Sequence, residues 1–263
     1  MSLPPTEWDA EAYHQISSPQ LAWGLKVLDR LPLQGDETVL DAGCGSGRLS
    51  EKVLERLPRG RLIALDSSQN MLREAKATLQ RFGDKVTFLR ADLGALELDR
   101  VADAVFSTAT FHWVLDHDAL FAGLLRALKP GGLLVAQCGG GANLHAIHQR
   151  AGQLMHVPPF AEHYGKWKDP WHFAGAEETT ARLERLGFES PRAWLEDAPT
   201  TFPDAPTFRR FIEGVILRVH LEHLPSPVLK AQYLDALVEQ AERDAPPLTL
   251  DYVRLNIEAR RPA

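Results

Sequence analysis

The sequence predicts an α/β fold: an open, doubly wound, mostly parallel sheet, with a helical cap contributed by later segments. The first observation behind this is the stretch 38–48, TVLDAGCGSGR. It is a short apolar run closed by Asp41, followed by glycines on alternate positions and then by helical spacing from Arg48. The second is the next apolar run, RLIALD, which also ends in an acid, Asp66. The third is the alternation of further apolar runs with amphipathic stretches up to residue 138, the pattern that a parallel sheet with helices on both faces requires.

The elements follow in order. PQLAWGLKVLDRL (19–31) sets Leu21, Leu25, Leu28 and Trp23 on an apolar stripe, with Pro19 near its first turn. Strands are expected at 38–41, 61–66, 86–90, 102–107 and 132–138, and helices at 46–57, 68–82 and 117–128. Ser67 and Ser68 ahead of Gln69-Asn70-Met71 read as a helix cap and first turn. LKPGG is a turn that resets the chain into the fifth strand. A helix over 176–187 should stop at Gly187. The strand 188–195 carries Pro191, which places it at an edge. In YVRLNIEARR (252–261), Val253, Leu255 and Ile257 alternate with Arg254, Asn256 and Glu258, the period of a half-solvated strand.

Two stretches, 140–175 and 200–247, exceed a minimal sheet and read as a mostly helical substrate cap. The α/β domain is then 1–139, 176–199 and 248–263. Apolar residues at 44% and charged ones at 24% are ordinary for a globular chain of 263 residues. A net charge of −6 argues against a nucleic-acid partner. No apolar run approaches the ~18 residues of a membrane span. The N-terminal residues lack the pattern of a signal peptide, so a cytoplasmic location is expected. Two cysteines, Cys44 and Cys138, are too few for a disulfide scaffold or a metal cluster, and no metal is expected. A monomer or homodimer is expected.

The glycine loop asks for a nucleoside ligand. A dinucleotide loop, Gly-x-Gly-x-x-Gly, would place glycine where this chain has Arg48. Pyrophosphate would also be repelled by Asp41, whereas a carboxylate there can face an ammonium or a sulfonium. Asp66 stands where a doubly wound fold places an acceptor for ribose hydroxyls.

DAGCGSG at 41–47 resembles the first motif of the class I S-adenosylmethionine-dependent methyltransferases. LDSSQNM (65–71), RAD (90–92), STATFHW (107–113) and LKPGGLLV (128–135) resemble its later motifs. The resemblance implies a seven-stranded sheet whose closing strand is antiparallel beside the fifth. It implies S-adenosylmethionine held by Asp41, Gly43, Cys44, Gly45, Gly47, Asp66, Ser67 and Met71. Asp92 and the backbone N–H of Leu93 would read the adenine, and Ser107 and Thr108 would line the mouth where the methyl group is delivered. Tyr13, ahead of the first strand, is the lid contact. Within the class, TATFHWVLDHDALF (108–121) resembles the trans-aconitate methyltransferase-like group of small-molecule enzymes.

That resemblance implies a small-molecule acceptor, with an oxygen nucleophile, a carboxylate, as the first choice. His112 is the candidate base or hydrogen-bond donor. Trp113, His14, Tyr164 and Arg209 are the candidate acceptor contacts. Methyl transfer needs alignment more than a dedicated base. Phenolic, amine or carbon acceptors, a nicotinamide-dependent oxidoreductase and a non-catalytic binding protein stand as alternatives.

Overall fold

The computed structural model describes residues 18–263, so Tyr13 and His14 lie outside the described residues. The chain divides into two compact units. One takes the chain up to Gly141 with Pro170–Glu196 and Arg254–Ala263, and the other takes Ala142–Asp169 with Asp197–Val253.

The first unit is the sheet. Helix α1 (Ser18–Asp29) precedes β1 (Thr38–Ala42), α2 (Arg48–Glu55), β2 (Arg61–Asp66), α3 (Gln69–Thr78), β3 (Val86–Arg90) and β4 (Ala102–Thr108). Next come α4 (His117–Ala127), β5 (Leu128–Gly139), α5 (His145–Leu154), α6 (Ala176–Leu186) and β6 (Glu189–Asp197). The chain continues through β7 (Thr200–Thr201), α7 (Ala205–Phe211), α8 (Arg218–Glu222), α9 (Pro227–Glu242), β8 (Thr249–Leu250) and β9 (Val253–Arg260). The seven-stranded order is β3-β2-β1-β4-β5-β9-β6. β1 to β5 pair in parallel, and β9 runs antiparallel to β5. The order reverses between β1 and β4, and ligands of open α/β sheets bind at the strands' carboxyl ends by such a point. Val39, Leu40, Leu62, Leu65, Val105 and Phe106 are fully buried along the central strands, each stabilising the fold by roughly 1.5–3 kcal/mol.

Three local expectations are corrected. The buried stripe of α1 is Gly24, Val27, Leu28 and, just past the helix, Leu31, one turn on from the stripe read in the sequence. Gly24 is part of it, and a Cβ there would lie 2.2 Å from the Leu49 side chain, which would have to shift to admit it. The helix expected over 68–82 ends at Thr78, and a 3-10 turn, Gln80–Lys85, follows. β9 alternates as expected, but its polar face is buried as well. Arg254 lies over the Trp23 ring at 4.8 Å, and Asn256 accepts from Gln137 Nε2 at 2.8 Å. Packing of α1 against that face removes it from water, and Asn256 Nδ2 donates to Glu196 Oε2 at 3.3 Å.

The second unit holds α5, α7, α8, α9 and the β7–β8 ladder, with a π turn at Ile212–Ile216 between α7 and α8. Its borders differ from the expected 140–175 and 200–247. Residues 170–175 belong with the sheet, because His172 N donates to His112 O at 2.7 Å and Gly141 N to Ala174 O at 3.0 Å. Residues 197–199 and 248–253 belong with the helices. Ala198 N donates to Tyr252 O, Leu144 N to Asp251 O and Val253 N to Asn143 Oδ1.

Candidate functional site

The glycine loop is pinned to the end of β2. Leu65 O accepts from both Gly43 N and Cys44 N at 2.8 Å. Asp66 joins two elements, since Oδ2 accepts from Gly45 N and Oδ1 from Ser68 N, each at 2.9 Å. Ser68 caps α3 with Oγ accepting from Met71 N at 3.2 Å. The carboxylate expected to meet ribose hydroxyls therefore also holds the loop in shape.

The three loop glycines are required for different reasons. All have positive φ, near 90° at Gly43, 54° at Gly45 and 84° at Gly47. A Cβ at Gly43 would lie 2.2 Å from Thr110 Oγ1, and one at Gly47 would lie 3.1 Å from Ala75 Cα. Among the described residues, a Cβ at Gly45 would meet nothing within 4 Å. Internal packing thus explains two of the glycines, while Gly45 presents bare backbone on an open side of the loop, where a ligand can approach closely.

Asp41 is buried, and its Oδ2 accepts from Ser50 Oγ at 2.5 Å. Burial first, then the charge of Asp66, pushes its carboxyl up to about 7, against the Ser50 bond that favours ionisation. A cation bound nearby would restore the ionised form. Cys44 is buried too, and burial raises its thiol well above the ordinary value, so it packs as a small apolar residue.

Asp92 is exposed two residues beyond β3, next to the end of β2, where Ala91 N donates to Asp66 O at 3.2 Å. Its Oδ1 accepts from Gly94 N at 2.8 Å, which starts the short turn carrying the buried Leu93. Met71 is buried, and Ser67 contributes a carbonyl that accepts from Arg90 Nε at 3.1 Å.

At the end of β4 the outcome differs from expectation. Ser107 is buried and its Oγ donates to Ala42 O at 2.6 Å, so this hydroxyl ties β4 to β1. Thr108 is half-buried and accepts from Thr110 Oγ1 through its carbonyl at 2.9 Å. Ala109 follows with φ of 54°, a strained turn for a residue with a Cβ. That turn delivers Thr110 to the glycine loop, its Oγ1 3.3 Å from Gly43 O, and leads into the turn Phe111–Trp113.

His112 is half-buried. Its Nδ1 accepts from Gly139 N at 3.3 Å, at the end of β5. A backbone N–H can only donate, so Nδ1 is the acceptor and the neutral ring carries its proton on Nε2. The ring is therefore set as a donor, and the base role is disfavoured. Trp113 is half-buried beside it, with ring centroids 5.3 Å apart.

The other two acceptor candidates lie in the second unit and are otherwise engaged. Tyr164 is buried and donates to His220 O at 2.8 Å, with burial raising its hydroxyl to about 12. Arg209 pairs with Asp235 at 3.1 Å and Glu213 at 3.3 Å, a solvated surface pairing. Sequence reasoning does not single out Ser50, Thr110 or Gly139, whose bonds hold Asp41, the glycine loop and His112.

Comparison with known proteins places this geometry. A family model described as a methyltransferase domain matches residues 39–132, the span from β1 into β5. The fold is that of the class I S-adenosylmethionine-dependent methyltransferases. The trans-aconitate 2-methyltransferase of Acidovorax sp. (strain JS42) is 28% identical over 242 residues, 89% of this chain and 88% of that protein. The same-named enzyme of Methylobacterium nodulans is 29% identical over 97% of this chain and 98% of its own length. The chain is homologous to these methyltransferases. Among solved structures, Haemonchus contortus phosphoethanolamine N-methyltransferase 2, in complex with S-adenosylhomocysteine, superposes with a TM-score of 0.62 at 20% identity. That match covers 97% of this chain, which spans 57% of the Haemonchus chain.

Proposed function

We propose that this chain is an S-adenosylmethionine-dependent methyltransferase that converts a small-molecule carboxylate into its methyl ester. The observation that carries the cofactor reading is the loop at Gly45. Its backbone is held by Asp66, a Cβ on it would meet none of the described residues within 4 Å, and Asp41, near the end of β1, carries a raised carboxyl. These residues fit S-adenosylmethionine: Asp66 can accept from ribose hydroxyls, Asp92 from the adenine amino group, and Asp41 favours the positive charge. Bound there, the cofactor would supply an electrophilic methyl carbon: attack on it by a carboxylate oxygen would form the ester O–CH3 bond as the methyl–sulfur bond breaks, with the neutral thioether as leaving group.

The chain's own part is alignment. Thr110 and the Ala109 turn fix the end of β4 against the glycine loop, and Gly139 fixes the His112 ring. A carboxylate is already ionised at pH 7, so it needs a donor to orient it and no base. His112, with its proton on Nε2, is such a donor. This favours a carboxylate over a phenol, whose pKa near 10 calls for proton removal. The homologous trans-aconitate 2-methyltransferases, by their name, also act on a carboxylic acid.

The test is an acceptor screen with methyl-labelled S-adenosylmethionine across carboxylates, phenols and amines, followed by mild alkaline hydrolysis. Label released by alkali is the expected result. Label that survives it would overturn the ester and leave methylation of another centre.

A further inference from the structure

The turn Phe111–Trp113 carries His112, and two of its carbonyls are held by two other histidines. His117 Nε2 lies 3.1 Å from Phe111 O, and His172 N donates to His112 O at 2.7 Å. The imidazoles of His117 and His172 stack with centroids 4.4 Å apart. His117 is the first residue of α4, whose start is fixed by Asp116 Oδ1 accepting from Ala119 N at 2.9 Å. Side chains of a helix tilt towards its N-terminus, which brings this ring back to the turn.

His117 is buried and meets Phe121 edge to face at 5.8 Å, as Phe121 meets Phe111. Phenylalanine would fill such a place without the cost of burying a polar ring. What the histidine adds is one hydrogen bond. A carbonyl can only accept, so Nε2 carries the proton. Nδ1 is buried without a hydrogen-bond partner among the described residues. Burial, then the His172 ring and Arg182, lower the His117 pKa to about 4, against the Phe111 bond and Glu178. The ring is therefore neutral at pH 7, in one tautomer. His112 depends on such support, because the bond from Gly139 N to its Nδ1 is long, 3.3 Å.

We propose that His117 is a positioning residue for His112. Its Nε2–H holds the turn so that His112 Nδ1 stays on Gly139 N and His112 Nε2–H stays presented as a donor. His117 acts through the backbone of the turn and takes no proton in the reaction. The proposal rests on the donor role given to His112 in methyl transfer.

The experiment reads ring tautomers in the full chain from nitrogen spectra of labelled histidine, with the His112 signals assigned by their loss in His112→Gln. In the wild type His117 and His112 should both be neutral at pH 7 with the proton on Nε2. An Nδ1–H tautomer or an imidazolium at His117 would overturn the proposal without any variant. His117→Phe keeps a ring and removes the donor, so His112 should shift to a mixture of tautomers while S-adenosylhomocysteine affinity holds by calorimetry. His117→Asn, with its shorter side chain, should give the same shift and serves where the phenylalanine variant does not fold. His117→Gln, whose amide N–H has the longer reach, should restore the His112 signature. Methyl transfer to trans-aconitate, as the probe acceptor, should fall about tenfold in His117→Phe and recover in His117→Gln. In a His112→Gln background His117→Phe should cost nothing further. A His112 signature unchanged in the folded donor-less variant, or not restored by His117→Gln, would overturn the proposal. The predicted tautomer changes with no methyl ester formed from any acceptor would keep the positioning of the ring and sink the proposed reaction instead.

Discussion

Histidine and aromatic side chains gather in two places, and burial separates them. In the second unit Phe160, Tyr164, His220 and Tyr233 are buried and packed ring on ring, with Phe160 and Tyr233 5.1 Å apart and Tyr164 and Tyr233 5.9 Å apart. Tyr233 is fully buried and donates to Ala151 O at 2.9 Å, and burial lowers His220 to about 3. In the sheet unit His112, Trp113, Trp171 and Phe173 are half-buried and stand beyond the strand ends. The same residue types make a core in one place and a half-buried cluster in the other. Composition does not distinguish them; the hydrogen bonds that each backbone makes do.

The largest effect that would break this comparison is on stability. Tyr233→Ala should cost about 3–5 kcal/mol, the range for removing a buried aromatic side chain, read by urea denaturation. Trp171→Ala should cost distinctly less, and equal losses would mean that the two clusters are both core.

Next in size is the loop. Asp66→Ala removes the acceptor of Gly45 N and Ser68 N together with the proposed ribose contact. It should weaken S-adenosylhomocysteine binding by about 1–3 kcal/mol by calorimetry, whereas Tyr164→Phe, in the second unit, should leave that affinity unchanged.

A pH titration sharpens the electrostatic half. Asp41 has its pKa raised to about 7 by burial and by Asp66, above an unfolded value near 3.9. The folded state therefore holds this proton more tightly. The group's contribution to stability falls as pH rises from about 4 to about 7 and then levels off. A sulfonium favours the ionised form. Affinity for S-adenosylmethionine relative to S-adenosylhomocysteine should thus climb between pH 6 and 8, and Asp41→Asn should flatten that climb.

The smallest expected effect is at His112. As a donor fixed by Gly139, its replacement by glutamine should lower kcat/KM roughly tenfold without changing the shape of the pH profile, in contrast to the ~10²–10⁴ lost with a general base. A larger loss with a steep rise in rate toward high pH would restore the base.

The sheet was legible because its signals are local. Asp41 and Asp66 each close an apolar run, Gly187 caps α6 with φ of 94°, and Pro191 lies on the edge strand β6. The antiparallel β9 came from resemblance, since pairing partners distant in sequence leave no periodic mark. The burial of Arg254 and Asn256 was hidden for the same reason: alternation tells which residues share a face, and not what covers it. At the site, the glycines and acids were readable by spacing. The bonds Ser50 to Asp41, Thr110 to Gly43 and Gly139 to His112 join residues 9, 67 and 27 positions apart. The first favours ionisation of Asp41 against its burial and the third sets the tautomer of His112, and neither effect is written in a motif.

The central claim, that the open side of the loop at Gly45 receives the cofactor, is tested most directly by titrating S-adenosylhomocysteine into the wild-type chain and into Gly45→Ala. A Cβ there meets none of the described residues within 4 Å, so the variant should fold with only the roughly 1–2 kcal/mol strain of a left-handed residue. The account predicts binding to the wild type and at least a tenfold loss in the folded variant. Unchanged affinity in a folded Gly45→Ala protein would contradict it.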